Sequence, residues 1–253
     1  MRAALLHLDL AAGPEAANLG RIARGVEAAA TAGARWVLTP ETALQGYFFT
    51  DGNPAPALET QPAAALSPLL DAIRRLGVTL FLGCADLDPE TGAAHNSMVV
   101  FAPDGRVLGR HRKLVAHGGA EAWSKAGSVR RPIAVDGIEV GVMICADAWF
   151  PEHPRAMKDA GAELLTLSAA WPPRPMGPDG CWERDSAATG LGMWVCNQTG
   201  RHRMDLTEAE SAVIANGHRR LTHAGAEPAV LVFDWDFAKG DTTSADFLRI
   251  PAA

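Results

Sequence analysis

Cysteine is scarce in this chain, and the few cysteines are irregularly spaced. The 253 residues contain four of them, Cys84, Cys145, Cys181 and Cys196, and no two form a Cys-x-x-Cys pair. This spacing excludes a disulfide framework and a zinc ribbon, because both need cysteines that are numerous or closely paired. We therefore expect a reduced, cytoplasmic protein.

The chain also lacks long apolar runs and an excess of basic residues. No stretch approaches the roughly 20 unbroken apolar residues that a membrane span requires. The 23 basic side chains are outnumbered by 29 acidic ones, which gives a net charge of −6 with neutral histidine. A negative protein has no general electrostatic attraction for phosphate backbones or anionic lipid. We expect neither a nucleic-acid partner nor a membrane partner.

Motifs for nucleotide and metal binding are absent from the sequence. Neither Gly-x-Gly-x-x-Gly nor Gly-x-x-x-x-Gly-Lys occurs. Two groups of histidines, His111 with His117 and His202 with His218 and His223, lack a metal-site spacing such as His-Glu-x-x-His. We expect no metal and no organic cofactor.

What the chain does contain is an alternation of strand-like and helix-like segments. With 48% apolar and 21% charged residues, it has ample material for a core. Turn signals at 103–105 and 136–137 predict two antiparallel hairpins, so the sheets should be mixed. No linker or repeat interrupts the pattern, which predicts one α/β domain over residues 1–253 with helices covering the sheets. The predicted strands are 3–8, 36–39, 78–84, 96–102, 106–113, 132–135, 138–145, 163–168, 193–197, 212–215 and 229–234, and the predicted helices are 19–33, 67–76, 151–160 and 182–189.

Three polar residues come directly after predicted strands. Glu41 follows the second strand, Lys113 closes the fifth, and Cys145 closes the seventh. Ligand sites in α/β proteins gather at the carboxyl ends of strands. A carboxylate, an ammonium and a thiol are the base, the oxyanion stabiliser and the nucleophile of an acyl-transfer site.

The setting of Cys145 favours a nucleophile. The chain continues to Pro151-Glu152, which is typical of a first helical turn, so we expect the thiol near the positive end of that helix, where the thiolate is favoured. The alternatives are a buried apolar filler and a papain-type pair with His153. Cys84 also ends an apolar run and precedes Ala-Asp, but it lacks the helix start and is assigned to the core.

Three sequence blocks contain these polar residues, in order along the chain. They are Thr39-Pro40-Glu41 with Gly46-Tyr47, then His111-Arg112-Lys113-Leu114, then Gly141-Val142-Met143-Ile144-Cys145-Ala146-Asp147 leading to Phe150-Pro151-Glu152. Together they resemble the signature blocks of the nitrilase superfamily of carbon-nitrogen hydrolases. The triplet Cys-Ala-Asp is closer to its amidase branch than the Cys-Trp-Glu often found beside nitrilase cysteines.

The resemblance covers nearly the whole chain and implies an αββα sandwich, with two mixed sheets covered by helices in a single domain. It also implies that Glu41 is the general base, that Lys113 stabilises the oxyanion and that Cys145 is the nucleophile. Many members carry a second glutamate in the loop after the lysine, and Glu121 is similar in placement, which implies a catalytic role; the alternative is a solvated loop carboxylate. Members assemble from dimers, so we expect a homodimer or a higher homo-oligomer.

These roles describe the hydrolysis of a small amide. Glu41 takes the thiol proton, Cys145 attacks the carbonyl carbon, and the oxyanion meets Lys113 and the backbone N–H of Ala146. Water then cleaves the thioester after ammonia or an amine has left. The same residues would serve an N-carbamoyl hydrolase, a nitrilase or an acyltransferase, so these three activities remain alternatives. A catalytically silent scaffold is a further alternative, although a scaffold has no physical need for a buried acid, base and thiol.

The sequence departs from the resemblance at two places. Trp149 stands where related amidases often carry Arg, and Thr189-Gly190 replaces a usual Glu-Asn pair. Without the Arg, we expect no anchor for a substrate carboxylate; a wide indole points to an apolar or planar substrate or to a tight pocket. Tryptophan is also abundant, with seven against a single tyrosine. We expect Tyr47, Ala146, Trp149 and Trp171 to contact the substrate.

Overall fold

The computed structural model describes residues 1–11, 13–51, 57–116, 118–173 and 177–252. Within these ranges the chain forms two mixed β-sheets and four α-helices, together with short 3-10 helices at Phe49–Asp51, Ala64–Leu66 and Cys145–Trp149. The strands are β1 (Arg2–His7), β2 (Trp36–Leu38), β3 (Thr79–Leu87), β4 (Ala94–Phe101), β5 (Val107–Arg112), β6 (Ile133–Val135), β7 (Ile138–Ile144), β8 (Leu164–Ala169), β9 (Gly192–Asn197), β10 (Glu210–Ala215), β11 (His218–Ala224), β12 (Ala229–Asp236), β13 (Asp241–Thr242) and β14 (Leu248–Pro251). The helices are α1 (Glu15–Thr31), α2 (Ser67–Leu76), α3 (Glu152–Asp159) and α4 (Cys181–Thr189).

Each sheet has a parallel centre with antiparallel strands beside it. In the first sheet the order is β13-β12-β1-β2-β3-β4-β5, with β14 also paired to β12, and β1 to β3 are parallel. In the second sheet the order is β11-β10-β9-β8-β7-β6, and β7 to β9 are parallel. The two predicted hairpins form β4–β5 and β6–β7. The prediction of mixed sheets is therefore confirmed.

The two sheets pack face to face with helices outside them. Alternate residues of β1 enter different cores, because side chains of a strand point to opposite faces. Leu5 packs between the sheets with Phe233, whereas Leu6 packs with Ile22 of α1 and Ile73 of α2. Helices α3 and α4 contact β7 and β10 of the second sheet. The layers are helix, sheet, sheet and helix, which confirms the predicted αββα sandwich.

Local sequence explains why the covering helices begin and end where they do. In α1 the fully buried apolar residues Ile22, Val26 and Ala29 recur at the spacing of one helical face. Helix α2 carries a proline in its first turn, and the residue that caps its C-terminus, Gly77, has a φ of 69°. Glycine adopts this left-handed conformation without steric cost, so the chain can leave the helix and enter β3.

Strands β11, β13 and β14 lie outside the predicted elements. Strand β11 has one buried side chain, Leu221, and otherwise exposes polar residues such as Arg219. An edge strand of this kind is held by its backbone ladder to β10 rather than by an apolar face. Its sequence therefore lacks the alternation of apolar and polar residues that predicts a strand.

The cysteines lie in the interior of the protein. All four cysteines are buried free thiols, and Cys84 lies in the core between the first sheet and its helices, as predicted. In the part of the chain that the structure describes, no helix combines the length and the apolar character needed to traverse a bilayer.

Candidate active site

The carboxyl ends of strands from both sheets meet at one edge of the sandwich. Glu41 follows β2 and Lys113 follows β5 in the first sheet, while Cys145 follows β7 in the second. Because the sheets are stacked, these strand ends face one another across the inter-sheet core. Lys113 and Cys145 line the same cavity, and Glu41 lies against both side chains. The structure thus brings together three residues that are far apart in sequence.

A buried ion triplet lies beneath the cavity. The Lys113 ammonium Nζ lies 2.6 Å from Glu41 Oε1 and 2.5 Å from Glu121 Oε1. All three side chains are at most 2% exposed. Burying a charge is costly unless it is paired, so one cation shared by two carboxylates holds the triplet together electrostatically. Glu121, which the sequence places only in a loop, is a direct partner of Lys113.

Glu41 is fixed by further hydrogen bonds. Its Oε1 accepts from Asn96 Nδ2 at 2.7 Å, and its Oε2 accepts from the backbone N–H of Ala170 at 3.0 Å. Burial raises the pKa of Glu41, the attraction of Lys113 opposes this, and the charge of Glu121 adds to the rise. A carboxylate with a raised pKa binds a proton more readily than an exposed one, which suits a group that takes up and returns a proton.

Lys113 stays protonated in this setting. Burial alone would lower the pKa of its ammonium, but attraction by Glu41 and Glu121 outweighs burial and raises the pKa. A permanent positive charge on the wall of a cavity can stabilise an oxyanion that develops beside it.

Cys145 has a strained backbone and a protonated thiol. It begins the 3-10 helix directly after β7, is 8% exposed, and has a φ of 45°. A non-glycine residue in this left-handed region stores strain, a feature that clusters at functional sites. Burial raises the pKa of the thiol well above its ordinary value, and the negative charge of Glu41 adds to the rise.

The expectation that the position of Cys145 favours the thiolate is therefore wrong. Helix α3 begins at Glu152, one residue after its predicted start, and Cys145 is the first residue of the five-residue 3-10 helix that precedes it. Burial and the facing carboxylates dominate over any helix dipole. The resting thiol needs a base to remove its proton, and Glu41 is adjacent.

Close backbone packing holds the segment that carries Glu41. A Cβ atom added to Gly83 of β3 would overlap the carbonyl oxygen of Pro40, so only glycine permits this approach. The hydroxyl of Thr39 accepts from the Gly83 N–H at 2.8 Å, and Ser168 Oγ donates to the Thr39 carbonyl at 2.8 Å. Both sheets therefore hold the residues that precede Glu41.

Tyr47 contacts the triplet directly. Its hydroxyl donates to Glu121 Oε1 at 2.9 Å, and its ring lines the cavity. Burial and the nearby carboxylates raise the pKa of Tyr47, so it stays a neutral hydrogen-bond donor. The structure places Tyr47 on the cavity wall, where the sequence motif predicts a substrate contact.

The cavity has a volume of about 190 Å³ and mostly apolar walls. Trp149 and Trp171 meet edge to face at 5.2 Å between ring centroids and form part of the wall. Asn197 holds the backbone of Trp171 with both ends of its amide, each at 2.9 Å. The described lining residues are Tyr47, Lys113, Gly118, Ala120, Glu121, Cys145, Ala146, Trp149, Ala170, Trp171, Pro172 and Met204.

Several functional contacts have no counterpart in the sequence prediction. Met204 reaches the cavity from the segment between β9 and β10, which carries no recognisable pattern. Asn96 binds Glu41, and the sequence assigns its amide no role, since it lies in the polar run His95-Asn96-Ser97 of β4. Trp182 lies behind Trp171 at 5.8 Å between ring centroids, rather than on the cavity.

The histidines that the structure describes have other partners. His153 contacts the Asp147 carbonyl with Nδ1 at 3.1 Å and Arg130 with Nε2 at 3.3 Å. In a papain-type pair, one of these ring nitrogens would contact Cys145 instead. His202 bridges to Asp9 at 2.6 Å. His117 lies outside the described residues. In the ranges that are described, no group of three or more histidine, cysteine, aspartate or glutamate residues is arranged to hold a metal ion.

The chain matches known proteins in sequence. The model of the carbon-nitrogen hydrolase family matches residues 2–240. Citrullinase of Francisella tularensis is 30% identical over 172 residues, which cover 65% of this chain and 60% of that protein. An (R)-stereoselective amidase of Pseudomonas sp is 31% identical over 169 residues, which cover 66% of this chain and 60% of that protein. The match thus spans about 60% of the length of these two relatives.

Solved structures share the fold. The NitN amidase of Nesterenkonia sp. AN1 superposes with a TM-score of 0.80 at 24% identity and covers 95% of this chain and 94% of that one. Nit3 of Saccharomyces cerevisiae, a member of branch 10 of the nitrilase superfamily, superposes with a TM-score of 0.80 at 20% identity and covers 92% and 88%. These likenesses support the αββα architecture, and the family match runs over nearly the whole sequence. The chain belongs to the carbon-nitrogen hydrolase family.

Proposed function

We propose that this protein hydrolyses the C–N bond of a small neutral amide through a thioester on Cys145. One observation carries the proposal: a buried ammonium, Lys113, is bound by two carboxylates directly beside a buried thiol on a common cavity. A protein that needed only stability would not place this costly set of charges beside a strained cysteine. A single hydrolase domain is consistent with this site, because both sheets contribute residues to the set of charges and the thiol.

The first half-reaction forms the thioester. Glu41 takes the proton of the Cys145 thiol while the sulfur bonds to the amide carbon, and the carbonyl electron pair moves onto oxygen. The oxyanion is stabilised by the ammonium of Lys113 and by the backbone N–H of Ala146. When the oxyanion collapses, the C–N bond breaks, and Glu41 returns its proton to the departing ammonia or amine.

The second half-reaction consumes water. Glu41 removes a proton from a water molecule whose oxygen bonds to the thioester carbon, and Lys113 again stabilises the oxyanion. The C–S bond breaks, the thiolate regains the proton from Glu41, and a carboxylic acid leaves. Glu121 takes no proton in this scheme; it holds Lys113 and is itself held by Tyr47.

The cavity supports a small and neutral substrate. A volume of about 190 Å³ lies below the roughly 300–1,000 Å³ of pockets for drug-sized ligands. Among the described lining residues, the charged side chains are Lys113 and Glu121, and the ammonium of Lys113 is already bound by Glu121 and Glu41. Trp149 stands where an arginine would anchor a substrate carboxylate. A carboxylate on the substrate would therefore be desolvated without a counter-charge of its own.

The solved relatives support an amide substrate. In variants of the Nesterenkonia sp. AN1 amidase, one structure contains acrylamide and another shows the acetamide moiety of fluoroacetamide added at the active site cysteine. Both compounds are small, neutral and planar at the carbonyl group. The aromatic walls built from Trp149 and Trp171 suit such molecules.

Turnover of a panel of compounds tests the proposal. Acetamide, propionamide, acrylamide, N-carbamoyl amino acids, nitriles and longer amides are each incubated with the enzyme, and the release of ammonia is measured. We expect release from the small amides, together with an acyl mass on acid-quenched protein that peptide mapping places on Cys145. Faster release from nitriles or carbamoyl compounds would overturn the amide assignment. No release and no adduct across the panel would favour a silent scaffold.

Met204 should limit the length of the acyl group. Met204→Ala removes three heavy side-chain atoms from the cavity wall, and each methylene that a pocket accepts is worth about 10- to 200-fold in selectivity. We expect the kcat/KM ratio of hexanamide to acetamide to rise by about tenfold or more. Leu248→Ala, which truncates an exposed side chain on β14, should leave the ratio unchanged. An unchanged ratio in Met204→Ala would show that this wall does not restrict the substrate.

A further inference from the structure

Asp147, two residues after the nucleophile, contacts both halves of the site. Its Oδ1 accepts from the backbone N–H groups of Leu114 and Val115, at 2.9 and 3.1 Å, directly after Lys113. Its Oδ2 accepts from the N–H of Ile144 at 3.0 Å, directly before Cys145, and from His111 Nε2 at 2.9 Å. One buried carboxylate thus joins the end of β5 in the first sheet to the end of β7 in the second.

We propose that Asp147 is a positioning residue that sets the separation and orientation of Lys113 and Cys145, an inference that rests on the proposed function. Asp147 is fully buried and touches neither reacting atom. Its four donors come from the two strand ends that carry the ammonium and the thiol. Since hydrogen bonds to a charged acceptor are short and directional, the carboxylate restrains both strand ends at once.

The arrangement also explains why an amide could not replace the carboxylate. Each oxygen of Asp147 accepts from two donors, and asparagine has one oxygen and one NH₂ group, which only donates. In one orientation the NH₂ group would face the N–H groups of Leu114 and Val115, and in the other it would face the N–H of Ile144. Asp147→Asn would therefore release either the backbone after Lys113 or the backbone before Cys145, while it changes the side-chain volume little.

The geometry of the nucleophile depends on the same contact. Cys145 has a φ of 45°, and the residues on both sides of it are held by Asp147 through Ile144 and through the 3-10 helix that contains Asp147 itself. His153 in turn contacts the Asp147 carbonyl. Loss of the carboxylate should let the strained turn relax, so that the sulfur no longer meets the carbonyl carbon near Lys113.

Two measurements test the inference in Asp147→Asn. The first is the kcat and KM of the best small amide, and the second is the pH dependence of Cys145 alkylation by 2-iodoethanol, which has no amide bond, followed by peptide mapping. Alkylation forms a C–S bond, expels iodide and needs no amide turnover. We expect kcat to fall by about 100-fold or more, with KM changed less than fivefold. We also expect the pH at which alkylation is half-maximal to shift, because Lys113 and Glu41 move relative to the thiol.

The controls separate positioning from stability. Asp86→Asn removes another fully buried carboxylate, which binds Arg110 and the backbone of Gln61, and it should leave the Cys145 alkylation profile unchanged. If Asp147→Asn does not fold, His111→Phe removes one of the four donors, and we expect kcat to fall by about tenfold.

The outcomes distinguish the inference from the proposed function. If the wild-type protein hydrolyses no amide, the proposed function fails, while the alkylation profile still tests whether Asp147 positions Cys145. If a folded Asp147→Asn keeps the wild-type kcat and alkylation profile, the positioning role is wrong. The same conclusion holds if His111→Phe is the only folded variant and its kcat and profile are unchanged.

Discussion

Cys145→Ala is expected to lower kcat for the best amide by about 10⁵-fold or more. Removing the nucleophile of a covalent mechanism costs on this scale, because the other polar side chains on the described cavity wall, Tyr47, Lys113 and Glu121, are hydrogen-bonded to one another. The folded state should persist, since the thiol makes one small part of a core shared by two sheets. The measurement is ammonia release by the purified variant, with the melting temperature as a check on folding.

Three matched variants show whether the effect belongs to Cys145. Cys84, Cys181 and Cys196 are also buried free thiols, and Cys84 likewise precedes Ala-Asp. Each alanine substitution should cost about 1 kcal/mol of stability from lost burial and leave kcat within about threefold of the wild type. Loss of activity in Cys84→Ala with activity retained in Cys145→Ala would contradict the assignment.

The site could be predicted from sequence to the extent that local strand ends define it. Apolar runs that end in Glu41, Lys113 and Cys145 predict three chemical groups at one edge of an α/β sandwich, and the family resemblance supplies their order. The hairpin turns predict the mixed sheets for the same reason: a turn signal and its flanking strands are neighbours along the chain. These features need no knowledge of tertiary contacts.

The protonation state of the thiol could not be predicted in this way. The local sequence shows only a helix start after Cys145, which favours a thiolate. The opposing groups come from elsewhere: Glu41 lies in the first sheet, and its negative charge together with burial raises the pKa of the thiol. The electrostatic environment of a site that two sheets form depends on the fold. The local sequence alone therefore predicts the wrong protonation state for the thiol.

Tryptophan abundance shows a similar limit. The excess of tryptophan predicts an aromatic pocket, and Trp149 and Trp171 do line the cavity. Three other tryptophans, however, pack in the core between the sheets: Trp36, Trp194 and Trp235. The ring centroids of neighbouring members of this group lie 5.6 to 5.8 Å apart. Composition records how many large side chains the chain must bury, and only tertiary packing decides which of them faces a ligand.

Lys113→Met is expected to damage both stability and catalysis. Without the ammonium, Glu41 and Glu121 would be two buried carboxylates with no cation between them, which costs about 3–5 kcal/mol. The oxyanion would also lose its charged donor, which lowers kcat by about 10³-fold. Chemical denaturation measures the first effect, and ammonia release from the best amide measures the second.

A double variant separates these two roles of Lys113. Lys113→Met with Glu121→Gln removes one cation and one anion, so the charge balance of the buried set is kept. We expect it to recover most of the lost free energy of unfolding, because Glu41 keeps its bonds to Asn96 and to the Ala170 N–H. The kcat should stay near that of the single variant, since the oxyanion still lacks a cation.

Lys125→Met provides the matched control, because Lys125 is exposed and is not among the described residues that line the active-site cavity. It should change neither quantity. If the double variant regains kcat along with stability, Lys113 acts only by holding the carboxylates in place, and the oxyanion must be stabilised by backbone N–H groups alone. If stability stays low while Glu121 is neutral, repulsion between the carboxylates is not the cost that Lys113 removes.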